Sequence, residues 1–75
     1  MIKEIKEYST VEVAKDRIIT LKDWNFKGFR GIVLKDYDNG IYDVLFTLQN
    51  HAVVLTFRKN ELEFINNLYE EENEN

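Results

Sequence analysis

The 75-residue sequence predicts a small, mainly β domain with short helical or irregular terminal segments. Three observations carry this. From Asp16 onward the chain is a series of short apolar runs rich in β-branched and aromatic residues. An Asp-Asn-Gly turn, residues 38–40, separates two of these runs. The runs alternate with period two, so each strand places a coherent set of apolar side chains on one face.

Residues 1–14 are expected to cover the sheet. Ile2, Ile5 and Tyr8 recur at near-helical spacing, and Lys3 and Glu7 stand one turn apart. Ser9 and Glu12 match a capping box, whereas "TVEV" alternates like a strand, so residues 9–14 fit either structure. "RIITL" (17–21) is the first β-rich run, and "FRGIVLKDY" (29–37) the second. Asn39-Gly40 between apolar runs is a hairpin signal, because both central residues of a type I′ turn need positive φ. "IYDVLFTL" (41–48) follows, then a turn near Gln49-Asn50-His51, then "AVVLTF" (52–57), completing a meander. The end reads two ways. Asn60 and Glu63 with Leu62, Ile65 and Leu68/Tyr69 fit a capped helix, while "KNEL" as a tight turn makes "EFI" a last strand.

Within the meander, one face collects Phe29, Gly31 and Val33, then Tyr42, Val44, Phe46 and Leu48, then Val53, Leu55 and Phe57. Of the aromatics around Gly28, Phe29 is the expected core residue and Trp24 the expected exposed one. The opposite face carries Ile32, Leu34, Leu45, Ala52 and Val54, where an exposed antiparallel sheet should be polar. Apolar area left wet forgoes about 25 cal/mol per Å2, so this face calls for a cover. The terminal segments or a second chain would supply it. Ile32, Leu34, Leu45 and Val54 are therefore the expected interface, and a homodimer is one expected use of it.

The composition narrows the chemistry. There is no cysteine, and Ser9 and His51 are the sole serine and histidine. No disulfide, thiolate nucleophile or Cys/His metal site is available, no cofactor is implied, and the expectation is a protein without enzymatic activity. Asp36, Asp38 and Asp43 flank the hairpin without the ligand spacing of a calcium loop, and turn chemistry accounts for them. The sequence has no apolar run long enough for a membrane helix, and "MIKEIKEY" lacks the apolar centre of a secretion signal. The expected location is the cytoplasm, away from membranes. The net charge is −4, but Glu70, Glu71, Glu72 and Glu74 lie in the last six residues. Without them ten acidic residues face ten Lys and Arg, so the chain ahead of these glutamates is neutral; the expected organisation is a β body, residues 15–66, followed by an acidic tail, residues 67–75.

"DRIITL" (16–21), "FKGFRGIV" (26–33), "YDVLF" (42–46) and "VLTFRKNELEFI" (54–65) together resemble small Src-homology-3-like barrels, most nearly the KOW-type barrels of transcription elongation and ribosomal proteins. The resemblance covers roughly residues 15–65 and implies a five-stranded barrel. Gly28 would permit a tight loop, Gly31 a sharp bend, and "ELE" the last turn and strand. In such barrels the loop between the first two strands helps form the ligand groove, which implies contact roles for Trp24, Phe26, Lys27 and Arg30. Arg58 and Lys59, after the fourth strand, would extend a cationic patch. A protein partner is the first expectation, for example for a phage- or plasmid-type accessory or inhibitor protein acting on a larger complex. Weak RNA or DNA contact, as in KOW-type barrels, is the second.

Overall fold

The computed structural model describes residues 4–19 and 24–67. The chain forms a five-stranded antiparallel sheet in the order β6-β5-β4-β1-β7. The strands are β1 (Ser9–Val13), β4 (Arg30–Asp36), β5 (Ile41–Leu48), β6 (His51–Arg58) and β7 (Leu62–Asn67). A two-stranded ribbon, β2 (Ile18–Ile19) and β3 (Trp24–Asn25), lies in the connection from β1 to β4. A single 3-10 turn, Lys59–Glu61, joins β6 to β7.

The meander matches expectation closely. Its register runs Ile32↔Leu45 and Val33↔Val44 between β4 and β5, and Val44↔Leu55 and Phe46↔Val53 between β5 and β6. Val33, Val44, Phe46 and Phe57 are essentially inaccessible, and Leu48, Val53 and Leu55 pack against them half-buried.

The two undecided segments are both strands. Ser9–Val13 lies between β4 and β7, with Val11 paired to Gly31 on one side and Phe64 on the other. Val11 and Val13 are fully buried while Thr10 and Glu12 alternate outward. Part of the segment expected to cover the sheet is thus inside it, and of the described covering residues Ile5 sits in the core while Tyr8 is 45 % exposed. Ser9 caps no helix. Its buried hydroxyl accepts from Lys6 N at 2.9 Å, closing a turn in which Tyr8 takes a φ of 71°. At the other end, Asn60–Glu63 starts no helix. Glu61 Oε1 accepts from Arg58 N at 2.8 Å, which tightens the 3-10 turn, and Leu62 then enters β7. Leu68, Tyr69 and the glutamate-rich tail lie outside the described residues, as do Ile2 and Lys3.

Of the "RIITL" run, Ile18–Ile19 is a strand as expected, with Ile18 56 % exposed, and Thr20 and Leu21 lie outside the described residues. Two local expectations are corrected. The β4–β5 hairpin is not an Asn39-Gly40 type I′ turn. Positive φ falls on Asp38 (65°) and Gly40 (82°), and the loop closes through Tyr37 N to Ile41 O and Asp38 N to Asp36 Oδ1. Finally, Phe26 rather than Phe29 is the core aromatic, at 1 % exposure against 37 %.

The Phe26 ring meets Phe46 edge-on at 5.2 Å between centroids, and Phe46 meets Phe57 at 5.9 Å. The turn that carries Phe26 is fastened to β1 through Gly28 N to Val13 O and Val13 N to Phe29 O. The β3–β4 turn thereby covers the inner face of β5. Where β6 leads into the 3-10 turn, Arg17 performs a similar task. Its guanidinium stacks 4.3 Å from the Phe57 centroid, donates to Thr56 O at 2.9 Å and meets Glu61 Oε1 at 3.4 Å.

Candidate functional site

The face opposite the core has two neighbouring cross-strand rows. The first is Ile32–Leu45–Val54, one residue each from β4, β5 and β6. Its side chains meet because directly paired residues on one face lie within about 5.5 Å at Cβ. Ile32 and Leu45 are half-buried, and Val54 is 49 % exposed. Leu34, 39 % exposed, lies where the β4–β5 register shifts between Val33 and Lys35. All four residues expected to form an interface are in this region, and the first three form one row.

The second row is Lys35–Asp43–Thr56. Here Asp43 is held from both sides. Tyr37 Oη donates to Asp43 Oδ2 at 2.6 Å, and Thr56 Oγ1 donates to Asp43 Oδ1 at 2.7 Å. The Lys35 ammonium stands 5.0 Å from the Tyr37 ring centroid. This network fixes an exposed tyrosine beside the apolar row. Beside β1, Arg30 Nε meets Glu12 Oε1 at 3.0 Å.

The hydrogen bond from Tyr37, then that from Thr56, holds the Asp43 carboxyl below its ordinary range. The same bond to Asp43 pushes the Tyr37 phenol up. Asp43 therefore contributes stability that is present above the ordinary carboxylate range and lost as pH falls through its lowered folded value. Tyr37 does the reverse: its contribution is present below the ordinary phenol range and lost as pH rises through its raised folded value. Tyr37→Phe is expected to move the Asp43 titration back up toward the ordinary carboxylate value. Carbon-detected NMR of the side-chain carboxyl measures this, and an unmoved midpoint would show that the phenol is not the main cause.

The residues expected around the β1–β4 connection are dispersed. Phe26 is buried, so its ring is a lid on the core and not a contact surface. Trp24 lies in β3, and its side chain is outside the description. Lys27 is exposed in the Phe26–Phe29 turn, with Phe29 N bonded to Phe26 O. Arg30 is engaged by Glu12. Arg58 holds the start of the 3-10 turn, while Lys59 bonds through its backbone to Gly40 O at the far hairpin. The sequence reading missed Asn25, which organises this connection. Its Oδ1 accepts from Arg17 N and Lys27 N, and its Nδ2 donates to Asp16 Oδ1.

A shallow hollow of about 360 Å3 opens beside the β4–β5 hairpin, lined among others by Glu4, Asp36, Asp38, Tyr42, Lys6 and Lys59. Burial, followed by the charges of Asp36, Glu4 and Asp38, pushes the Tyr42 phenol up. Two lysines offset the three carboxylates. Among the described residues no group of three or more His, Asp or Glu is placed to hold a metal ion. Nor is any helix there long and apolar enough to cross a membrane.

The sequence matches no protein-family model and no curated protein sequence.

Proposed function

We propose that this chain is a non-enzymatic protein-interaction domain that docks a partner protein on the outer face of β4, β5 and β6. The observation that carries this reading is the in-register apolar row Ile32–Leu45–Val54, with Leu34 beside it, on the side of the sheet away from the core. Its surroundings have the composition of an interface rim: a hydrogen-bonded Tyr37–Asp43–Thr56 network and an Arg30–Glu12 ion pair. Tyr37, already ordered by Asp43, offers an aromatic anchor with little rotamer entropy left to lose on binding.

The strand order supports a Src-homology-3-like architecture within this proposal. β1 lies between β4, the first strand of the meander, and β7, the last strand; a ribbon fills the connection from β1 to β4, and a 3-10 turn precedes β7. A KOW-type nucleic-acid role is less favoured, because Arg17 and Arg30 are engaged by Glu61 and Glu12 and the cations of the expected patch belong to different features.

Leu45→Glu tests the reading, since it places a charge in the middle of the row. The expected result is that a partner retained from native lysate by the wild-type chain is lost by the variant while the thermal melt keeps its cooperativity. Equal retention by both chains overturns the proposal. So does salt-steep binding of short RNA or DNA at ~50 mM salt, which would establish the nucleic-acid role instead.

A further inference from the structure

The sheet has two edges, β6 and β7, and they are built differently. β7 carries Glu63 and a register shift against β1, both of which discourage pairing with another chain. β6 is eight residues long, has continuous register with β5, and has no charged residue from Ala52 to Phe57. Its inner face is also incompletely covered: Val53 and Leu55 pack against the core but remain half-buried, whereas Val44 and Phe46 of β5 are inaccessible.

The direction of the free backbone groups follows from Arg17. Thr56 O accepts from Arg17 Nη2, so it points away from β5. Antiparallel ladders alternate hydrogen-bonded and non-hydrogen-bonded pairs, so Ala52 and Val54 also turn N–H and C=O to the edge. Val53 and Leu55 turn theirs toward β5. The Arg17 guanidinium occupies the edge at Thr56 and leaves the stretch around Ala52 to Val54 open.

We infer that β6 pairs with β6 of a second copy of this chain, antiparallel, about a two-fold axis at Val53. Ala52 of each copy then exchanges both backbone hydrogen bonds with Val54 of the other. This register leaves the Thr56 carbonyl to Arg17. It brings Val53 against Val53 on the inner side and Leu55 against His51, which extends the core across the junction. No like charges face each other within the paired stretch. The inference is independent of the outer-face contact proposed above, because it uses backbone groups at the edge.

Two variants of the purified chain test it. Val54→Pro removes an N–H that the β5–β6 ladder does not use, and proline is tolerated in an edge strand at such a position. Val53→Cys places the chain's only thiol on the axis, at a non-hydrogen-bonded pair whose Cα separation of about 4.5 Å suits a disulfide. The expected result is a wild-type mass by light scattering that rises toward twice the 9.0 kDa chain mass with concentration. Val54→Pro remains at the chain mass with its far-UV circular dichroism retained. Val53→Cys forms a disulfide-linked dimer under mild oxidation, faster than Thr47→Cys on the neighbouring strand. A wild-type chain that stays monomeric from about 10 µM to about 1 mM, the range of weak dissociation constants, overturns the inference. Equal cross-linking at positions 53 and 47 does so as well. A dimer that survives Val54→Pro but is lost in Leu45→Glu would place self-association on the outer face and overturn the edge pairing.

Discussion

Phe26→Ala is expected to lower stability by about 3–5 kcal/mol, enough to leave much of this small chain unfolded at 25 °C. Phe29→Ala is expected to cost only about 1 kcal/mol, the scale of one partly exposed aromatic contact. The two residues have the same side chain and lie three apart, so the difference comes from their neighbours. Phe26 is 1 % exposed and meets Phe46 edge-on, and its turn closes over the inner face of β5. Its removal leaves a cavity between Phe46 and the β3–β4 turn, which is fastened to β1 through Gly28 N and Val13 N and has little freedom to collapse. Phe29 touches Phe26 at 5.0 Å between centroids, but 37 % of it faces solvent, so its loss is partly repaired by water. Urea unfolding followed by far-UV circular dichroism gives both values. Equal losses in the two variants would mean that the lid is shared and that Phe26 is not its centre.

The exchange between these phenylalanines shows where a sequence stops being informative. Period-two alternation relates Phe29 to Gly31 and Val33, and that pattern held for the strand itself. The strand begins at Arg30, however, and the turn closed by Phe29 N to Phe26 O precedes it. Alternation does not extend through a turn, and the choice of inward ring is made by Phe46, twenty residues downstream of Phe26. The meander was legible because its strands carry their own alternation and short connections leave little choice of partner. The outer row Ile32–Leu45–Val54 was legible for the same reason.

β1 was obscured by competing local signals. Ser9 and Glu12 have the spacing of a helix cap, and only the flanking strands decide that Val11 and Val13 are buried in a sheet. The C-terminal ambiguity was resolved in favour of the tight turn and last strand. The 3-10 turn Lys59–Glu61 uses the glutamate to hold Arg58 N, after which the chain is extended. Arg17 and the Tyr37–Asp43–Thr56 network were not legible. Arg17 reaches Thr56 across 39 positions of sequence, and Asp43 meets Thr56 only because β5 and β6 pair in that register. Side-chain bonds of this kind depend on register, which no single strand's pattern contains.

Gly31→Ala is expected to be the most damaging single-methyl change in the described sheet, costing on the order of 3 kcal/mol through overpacking. Gly31 lies in β4, paired with Val11 of β1, and is buried. A Cβ there would stand 2.6 Å from Leu45 O, 2.7 Å from Val44 Cγ1 and 2.9 Å from Phe46 Cδ1. The closest of these atoms is backbone, and the other two belong to side chains fixed in the core. Relief therefore requires β4 and β5 to separate locally, which would disturb Ile32↔Leu45, the pair at the centre of the outer row. Gly28, three residues earlier, has a different reason for being glycine. A Cβ at Gly28 meets nothing within 4 Å, but its φ of 87° is one that side chains rarely adopt. Gly28→Ala is accordingly expected to cost about 1–2 kcal/mol, the ordinary penalty for left-handed backbone, and to leave the sheet undisturbed. Amide hydrogen exchange separates the two mechanisms. Gly31→Ala should lose protection on both sides of the β4–β5 pairing, whereas Gly28→Ala should lose it only in the turn. Intact protection across β4 and β5 in Gly31→Ala would show that the strands accommodate the methyl group, and that the close approach at Gly31 does not require glycine.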